Sequence, residues 1–482
     1  MDQDGSGADF LLLDATSAPP RGLTDWLVDQ LRAAIDDGRL GPGARLPASR
    51  ALAADLAVSR GVVVEAYRRL TDEGLVGGRG GGGTTVLHQP TRVPRAQPQA
   101  PMPLGGPPRL PRPRLPIGEG VDLSPGVPDL SAFPRNLWLR TERAVLTETP
   151  PEELGYGDPR GHPRLRAALA PWLARTRGLR AGPDDVIVVS GVAQAMALLA
   201  QQLRRAGHDS IAVEDPGSRG AVDELEYWGL KAIPVPVDED GIRVDALAET
   251  DTRAAFLTPA HQFPTGVVLA PTRRRELLGW AVDAELIVED DYDAEYRYDR
   301  APVPALQAAA PDRIAFAGST SKTLAPALRL GWLIAPRSRY EDLVAAKHAS
   351  DLGSPTVPQL VLARLLENGE YDRHARSVRA RHRARRDALL ESLVAAMPGA
   401  SVTGVAAGLH MLVTLPDTDV DDAAVADELR DAGVLVHPLS WHRRRPGPPG
   451  LVIGYAAHTP DRLREAAAAI GRVAKPQRRG RP

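Results

Sequence analysis

The segment RIAFAGSTSKTLAPALRLGW, residues 313–332, joins an apolar strand pattern to a small, hydroxyl-rich turn. The turn carries Lys322, and a second cation, Arg329, follows seven residues later. A lysine among serines and glycines is suited to form a Schiff base with an aldehyde cofactor, and a nearby arginine with hydroxyls can hold that cofactor's phosphate. Taken alone, the segment fits a surface loop with ordinary basic residues equally well, so the choice between a cofactor site and a surface loop depends on the rest of the sequence.

Apolar runs alternate with amphipathic helical patterns from about residue 120 onward. The runs that we interpret as strands are VIVVS (186–190), IAVED (211–215), AFLTP (255–259), LIVED (286–290) and IAFAGS (314–319). Such alternation predicts an α/β fold with a mainly parallel sheet, and ligands of these folds bind at the carboxyl ends of the strands.

Two motifs follow such strand ends. In SGVAQAM (190–196), a strand turns into a helix whose backbone N–H groups suit a phosphate, although an ordinary strand–helix turn has the same pattern. In TPAHQFPTG (258–266), either His261 or Gln262 could hydrogen-bond to a ring oxygen, although a lone histidine in a turn is usually structural.

A third motif, VEDDYDAEYRYD (288–299), runs from an apolar strand into four acids within five residues. One carboxylate facing a pyridine nitrogen would keep that nitrogen protonated and make the ring an electron sink. A tyrosine two residues later could reach the phenolic oxygen of the same ring. A metal site and a solvated acidic loop remain as alternatives.

The N-terminal part of the chain has the pattern of three short helices and a hairpin. Thr24 is positioned to cap the first helix, and the second helix is predicted over residues 49–56. The third helix is predicted to begin near Ser59, with a buried stripe of Val63, Ala66, Tyr67 and Leu70, and with Arg60, Arg68 and Arg69 outside the stripe. Residues 74–76 and 84–86 predict two strands around a glycine-rich tip. The pattern favours a winged helix whose third helix enters the major groove, and a small helical bundle with solvated arginines is the alternative.

Composition separates this head from the rest of the chain. Residues 88–117 hold ten prolines, five arginines and no acid, so they predict a linker between a domain at 15–87 and a domain at 118–473, with a disordered basic tail at 474–482. The chain has no cysteine, no signal-peptide pattern and no apolar run long enough for a membrane span. These features lead us to expect a cytoplasmic protein. The net charge of −2 means that any DNA contact must come from a local basic face.

The string LPASRALAADLAVSRGVVVEAYRRLTDEGLV, residues 46–76, strongly resembles the GntR-type winged helix-turn-helix. The resemblance implies a double-stranded DNA operator as partner. It also implies a set of DNA-contacting residues, which are Arg45, Ser49, Arg50, Ser59, Arg60, Arg79, Gly80 and Gly81.

The body resembles fold-type I aminotransferases that use pyridoxal 5′-phosphate (PLP), over roughly residues 120–470. The resemblance implies a smaller C-terminal α+β lobe, a Schiff base between PLP and Lys322, and contacts of Asp290 with the pyridine nitrogen and of Tyr292 with the phenolic oxygen. It implies no metal. The other residues expected around PLP are His261, Gln262, Arg329, Ser319, Ser321, Val192 and Ala193. LGYGDPRGHPRLRAAL (154–169) resembles the segment through which a partner subunit lends a tyrosine, here Tyr156, which implies a domain-swapped homodimer.

A GntR head, a long linker and an aminotransferase-like body together resemble the MocR subfamily of transcriptional regulators. The resemblance implies a regulator that senses PLP, or the aldimine of PLP with an amine or amino acid, and that controls vitamin B6 or amino-acid metabolism. An active aminotransferase with a DNA-binding head is the main alternative, and a regulator that no longer uses the cofactor is a third.

Two departures from the family pattern favour a sensor over a catalyst. Ser218 stands where an aromatic residue usually stacks on the cofactor ring. Val452 stands where transaminases commonly carry an arginine that clamps the substrate carboxylate. Arg219 or the arginines within residues 441–446 could compensate, and solvated loop positions are the alternative for them.

Overall fold

The computed structural model describes residues 22–78, 83–87, 120–298 and 303–474, together with residues 13, 15, 18 and 19. The chain divides into two compact units, Met1–Met102 and Pro103–Pro482. The predicted linker, the wing-tip residues Arg79, Gly80 and Gly81, and residues 475–482 of the predicted tail lie outside the described residues.

The described residues of the first unit form three helices and a two-stranded antiparallel hairpin. The elements are α1 (Leu23–Asp36), α2 (Ser49–Asp55), α3 (Arg60–Asp72), β1 (Val76–Gly78) and β2 (Thr84–Val86). The predicted stripe of α3 is buried and packs with Leu27 and Leu31 of α1 in one apolar core. The prediction of Thr24 as a helix cap is wrong, because α1 begins at Leu23 after Gly22, which places Thr24 inside the first turn.

The second unit is built on an eight-stranded sheet. Its strands are β4 (Val186–Val189), β5 (Ser210–Asp215), β6 (Lys231–Asp238), β7 (Gly241–Ile242), β8 (Ala254–Leu257), β9 (Leu286–Asp291), β10 (Ile314–Ser319) and β11 (Gly331–Ile334). The order is β4-β11-β10-β9-β8-β5-β6-β7, and the neighbours from β10 through β6 pair in parallel. Within the described part of this sheet, β11 runs antiparallel to both of its neighbours, β10 and β4, and β7 runs antiparallel to β6. The prediction of a mainly parallel α/β fold is therefore confirmed.

Helices cover both faces of this sheet. They are α4 (Arg135–Glu148), α5 (Pro163–Arg177), α6 (Val192–Arg205), α7 (Arg219–Tyr227), α8 (Val244–Ala248), α9 (Pro271–Trp280), α10 (Arg337–Asp351) and α11 (Thr356–Glu367). Along β4, Ile187 and Val189 pack in the core with α6, while Val186 and Val188 pack in the core with α5. Burial on both faces explains why the strands are continuous apolar runs rather than alternating ones.

A smaller lobe follows along the chain. It contains α12 (Glu370–Ala396), β12 (Ser401–Thr403), β13 (His410–Thr414), α13 (Asp422–Asp431), β14 (Val434–Leu435), β15 (His437–Pro438), β16 (Gly450–Gly454) and α14 (Pro460–Val473). Four strands form an antiparallel sheet in the order β12-β13-β16-β15, and β14 pairs in parallel with β3 (Val121–Asp122). The expected α+β lobe is therefore present. Among the described helices, none is long and apolar enough to cross a membrane.

Candidate cofactor site and nucleic-acid interface

The parallel pair β9 and β10 brings Asp290 and Lys322 to the same edge of the large sheet. Asp290 lies in β9 opposite Ala317 of β10, and Lys322 follows three residues after the end of β10. The Lys322 Nζ atom donates a hydrogen bond to the backbone oxygen of Gly126 at 2.6 Å. The Oδ1 atom of Asp290 is buried and has no hydrogen-bond partner among the described residues. A buried carboxyl oxygen without a partner is a site for a donor from a bound molecule.

Burial brings both groups towards their neutral forms. The pKa of Asp290 is raised to about 8, first by burial and then by the nearby Asp291 and Asp293, while Lys322 opposes the shift. Burial lowers the pKa of Lys322, and Asp290 and Asp293 oppose that shift. A neutral amine is the nucleophilic form that attacks an aldehyde, and a carboxyl group that faces a ring nitrogen can share a proton with it.

Tyr292 and His261 belong to one hydrogen-bonded group beside these residues. The Tyr292 hydroxyl donates to the backbone oxygen of His261 at 3.1 Å, and it lies 3.2 Å from Nδ1 of the same histidine. His261 Nδ1 lies 2.9 Å from Oδ2 of Asp293, while His261 Nε2 is buried without a partner among the described residues. The group presents a phenol that is oriented by its neighbours, and burial raises the pKa of that phenol well above its usual value.

Two members of this group were missed by the sequence reasoning. Asp293 lies in the acidic run of residues 288–299, but nothing in the sequence of that run distinguishes it from its neighbours. His410 comes from β13 of the smaller lobe, and its ring lies 5.2 Å from the ring of His261. Burial lowers the pKa of His410 well below its usual value, so this imidazole is neutral.

Both ends of the Gln262 side-chain amide are already hydrogen-bonded within the protein. Its amide nitrogen donates to the backbone oxygen of Pro216 at 2.9 Å, and its side-chain oxygen accepts from the Thr265 hydroxyl at 2.6 Å and from the Thr265 backbone at 3.1 Å. Both ends of the amide therefore shape the loop that carries His261.

The residues expected around a phosphate meet at the start of α6. Val192 and Ala193 are the first residues of this helix, so their N–H groups are among those without a partner inside the helix. The Arg329 guanidinium donates to the backbone oxygen of Ser190. A Cβ atom on Gly191, where φ is 91°, would lie 3.3 Å from that guanidinium, so glycine permits the close approach. The combination of a helix N-terminus with an arginine suits a phosphate group.

The two serines of the lysine turn lie next to each other. Ser319 ends β10, and its hydroxyl accepts a hydrogen bond from the backbone N–H of Ser321 at 3.3 Å. Glu224 of α7 was not anticipated in this region. Burial raises the pKa of Glu224 to about 7, and the charge of Arg329 opposes that shift.

The two departures from the family pattern have clear structural environments. Ser218 caps α7, because its hydroxyl accepts from the backbone N–H of Ala221 at 3.3 Å. Val452 of β16 is fully buried in a small apolar cluster with Leu412 and Leu439, against which Phe263 packs. The position therefore offers hydrocarbon rather than a cation.

Three of the four arginines that could replace a clamp make contacts elsewhere. Arg219 lies 3.6 Å from Asp223, the Arg443 guanidinium donates to the backbone oxygen of Pro448 at 2.7 Å, and Arg444 pairs with Glu226. Arg445 is exposed.

Tyr156 lies apart from the other candidate residues of its own subunit. Its side chain is 92% exposed, and it lines a groove of about 1120 Å³ together with residues of α4, α5 and α11. None of the candidate residues from β9 and β10 lines that groove. If Tyr156 acts at a cofactor site, the exposed position suits the site of another subunit.

The head presents a compact group of candidate DNA contacts. Ser49 begins α2, Ser59 directly precedes α3, and the Nε atom of Arg60 lies 3.4 Å from the Ser49 hydroxyl. Arg45 and Arg50 are exposed, and neither has an acidic partner within the described part of the chain.

The other two arginines of α3 are neutralised. Arg68 pairs with Glu65 at 2.8 Å and with Asp72 at 2.5 Å, and Arg69 pairs with Asp25 at 2.5 Å. Free positive charge in the described part of the head is therefore concentrated where α2 and α3 begin.

Comparison with known proteins identifies two families in the two parts of the chain. Residues 23–86 match the model of the bacterial regulatory proteins of the gntR family, and residues 120–470 match that of class I and II aminotransferases. The chain is 33% identical over 460 residues to the HTH-type pyridoxine biosynthesis transcriptional regulator PdxR of Corynebacterium glutamicum, covering 94% of this chain and 96% of that protein. It is 32% identical over 473 residues to the probable rhizopine catabolism regulatory protein MocR of Rhizobium meliloti, covering 95% and 94%.

Solved structures resemble the second unit. An archaeal alanine:glyoxylate aminotransferase superposes with a TM-score of 0.69 at 26% identity, covering 74% of this chain and 91% of that one. The kynurenine aminotransferase of Pyrococcus horikoshii superposes with a TM-score of 0.68, with the same identity and coverage.

Proposed function

We propose that this chain, which belongs to the MocR- and PdxR-type transcriptional regulators of the GntR family, adjusts DNA binding by its head according to the ligand held by its body. The head binds DNA, and the aminotransferase domain binds pyridoxal 5′-phosphate. When bound, this cofactor supplies an aldehyde that reacts with amines and a protonated ring that withdraws electrons.

The buried, unpartnered Oδ1 atom of Asp290 beside Lys322 is the observation that carries the proposal. In our proposal, Asp290 receives the ring N–H, Lys322 provides the amine, and the Tyr292 hydroxyl with the free Nε2 of His261 borders the phenolic side of the ring. Arg329, Ser319, Ser321 and the first N–H groups of α6 hold the phosphate.

The environment of Val452 favours an effector without a carboxylate. Hydrocarbon replaces the clamp at this position, and three of the nearby arginines are already engaged. An amino acid is then poorly oriented, and misplacement of that kind costs orders of magnitude in rate. We therefore propose PLP itself, or an amine that reacts with it, as the signal. Control of vitamin B6 supply fits the first case, and the PdxR relative is named for pyridoxine biosynthesis.

We also propose that the regulator works in the cytoplasm as a homodimer, with Tyr156 of each subunit reaching the site of the other. A dimer would present two winged helices to paired half-sites. A ligand shifts such an assembly only as far as it binds the two conformations with different affinities.

Cofactor binding is tested first with purified full-length protein. Wild-type protein should acquire the visible absorbance of a lysine-bound cofactor, and borohydride reduction followed by peptide mass spectrometry should place the label on Lys322. Lys322→Ala should lose both signals. Lys231→Ala is the matched control, because Lys231 is an exposed lysine that can react only adventitiously.

The regulatory claim is tested by a mobility-shift assay on a duplex selected from random DNA by the wild-type chain. PLP should change the affinity of wild-type and Lys231→Ala protein but not that of Lys322→Ala. A wild type that binds the duplex with the same affinity with and without PLP would refute the regulatory claim.

An active aminotransferase remains the second candidate, because the set Asp290, Tyr292, Lys322 and Arg329 is complete. Single-turnover mixing with common amino donors tests it. Conversion of the bound cofactor to its amine form would favour the enzyme, whereas an unchanged cofactor would favour the sensor.

A further inference from the structure

The helix α12 carries an unusual concentration of positive charge on the body of the regulator. Residues 373–386 contain seven arginines and no acid, in a chain whose net charge is −2. The structure divides six of these arginines into two groups with different surroundings, and the seventh, Arg373, lies 3.8 Å from Glu370.

Two of the arginines are structural. Arg381 and Arg385 pair with the buried Asp129 at 2.7 and 2.8 Å, and Arg385 also donates to the backbone oxygen of Ala456. They connect the helix to the rest of the body, so their charges are satisfied.

Four other arginines, Arg376, Arg379, Arg383 and Arg386, follow one side of the helix at spacings of three and four residues, and we call them the α12 stripe. Such spacing places side chains on one face, and ten residues of helix extend for about 15 Å. Arg376 is exposed and Arg379 half-exposed, and neither has an acidic partner among the described residues.

The remaining members of the stripe are held in place. Arg383 donates to the backbone oxygen of Tyr298, and the guanidinium carbons of Arg383 and Arg386 lie 5.9 and 4.8 Å from the centre of the Tyr298 ring. Within the described part of the chain, Arg386 is the one member of the stripe with an acidic partner, Asp387 at 2.5 Å. The stripe is thus a partly ordered row of cations, and three of its four charges have no acidic partner among the described residues.

We propose that the α12 stripe binds the phosphate backbone of the DNA that flanks the operator held by the head. One strand of duplex DNA carries a phosphate about every 3.4 Å of axis, so a row of about 15 Å faces roughly four phosphates. Four arginines spaced by one helical turn match that density, and arginine is the side chain best suited to phosphate.

The covalent connection to the head makes DNA the favoured occupant over an acidic protein. The 30 residues from 88 to 117 span at most about 100 Å when fully extended, so a head on DNA keeps the body near the flanking duplex. Connection of this kind raises the effective concentration of DNA phosphate at the stripe. An acidic protein has no such advantage.

The test compares Arg376→Gln/Arg379→Gln with wild type in the full-length, cofactor-loaded protein. Neither residue has an acidic partner in the described ranges, so thermal stability and cofactor absorbance should not change. Binding is measured as a function of salt on two duplexes, one limited to the operator and one extended by roughly 30 base pairs on each side, which is about 100 Å at 3.4 Å per pair. Each lost phosphate contact lowers the slope of log K against log[salt] by about 0.9.

On the long duplex, the double variant should lose about 1.8 from that slope, and on the short duplex it should match wild type. The matched control is Arg462→Gln/Arg464→Gln on α14, whose arginines are paired with Glu465 and Asp461, and its slope should not change. An unchanged slope on the long duplex would overturn the proposal, and so would an equal loss on both duplexes. Retained DNA binding with loss of a protein partner would assign the stripe to an acidic protein instead. Failure of the head would be seen separately, as loss of binding to the short duplex by the wild type.

Discussion

Replacing Asp290 by asparagine should stabilise the protein in the absence of cofactor. The carboxyl group is buried, and its pKa is raised from 3.8 to about 8, chiefly by burial. A carboxyl group whose pKa is higher in the folded state than in the unfolded state binds its proton more tightly in the folded state. The folded state therefore loses stability as pH rises from about 4, and the loss levels off above about pH 8. Asparagine has no such titration, so the variant escapes this loss.

The magnitude follows from about 1.4 kcal/mol per pH unit between the two pKa values. At pH 5.5 the stabilisation is about 2 kcal/mol, and at pH 7.5 it is about 5 kcal/mol. The difference between the two values, about 3 kcal/mol, is the quantity to test, because packing effects of the substitution are the same at both pH values and cancel.

Chemical denaturation of the cofactor-free, full-length protein measures this difference. Tryptophan fluorescence reports mainly on the body, since six of the seven tryptophans lie there. Asp431→Asn is the matched control, because it makes the same substitution on the exposed surface of α13, and its effect on stability should be small. A stabilisation by Asp290→Asn that does not grow with pH would refute the view that Asp290 is held protonated by burial.

Three further predictions concern separate parts of the molecule. Val452→Arg should lower the free energy of unfolding by about 3–5 kcal/mol in denaturation experiments, because it places an unpaired charge in an apolar cluster. A variant with unchanged stability that gains amino-acid binding would contradict this expectation. Arg177→Ala should lower the free energy of unfolding by a similar amount, about 3–5 kcal/mol, because Arg177 and Asp291 form a buried ion pair at 2.5 Å. If the losses of Arg177→Ala and Asp291→Ala simply add in the variant that carries both, the two residues are not coupled. Arg50→Gln should reduce the slope of log K against log[salt] for operator binding by about 1. Arg68→Gln should leave that slope unchanged, because two acids of its own helix already neutralise Arg68. Equal effects of the two substitutions would contradict the assignment of Arg50, and not Arg68, as a DNA contact.

The large sheet could be predicted from the sequence because both of its faces are buried. Continuous apolar runs then mark the strands, and the carboxyl ends of parallel neighbours must share an edge. Asp290 and Lys322 were therefore expected near each other, and the pairing of β9 with β10 places them there. The head was predictable for a similar reason, since its helical stripes follow the period of the helix.

Contacts between distant segments could not be predicted in this way. The partner of the Lys322 amine is the backbone of Gly126, 196 residues earlier, and a backbone oxygen has no sequence signature. His410 reaches His261 only because the smaller lobe folds against the large one. Thr24 shows the opposite limit: a residue well suited to cap a helix does not do so, because the N-cap is Gly22 (φ 125°) and the helix begins two residues earlier than a Thr24 cap would allow.

Asp290 also explains how a body without a substrate clamp can still drive a switch. Suppose that the Asp290 carboxyl is fully buried in only one of two conformations. At pH 7.5 that conformation is then disfavoured by up to about 5 kcal/mol, because the buried carboxyl must take up a proton. A bound cofactor removes this cost when its ring nitrogen shares a proton with the carboxyl. Moving an equilibrium from 1:99 to 99:1 takes about 5.5 kcal/mol, so cofactor binding at this one group approaches the energy that a switch needs, without any turnover. Asp290→Asn would then place the cofactor-free protein in the conformation that PLP selects. Its DNA affinity without PLP should equal that of wild type with PLP, measured by mobility shift on the selected duplex. An Asp290→Asn protein that keeps the cofactor-free affinity of wild type would show that the cost of burying Asp290 is the same in both conformations, and the switch would then have to draw on contacts of the phosphate or of Tyr156.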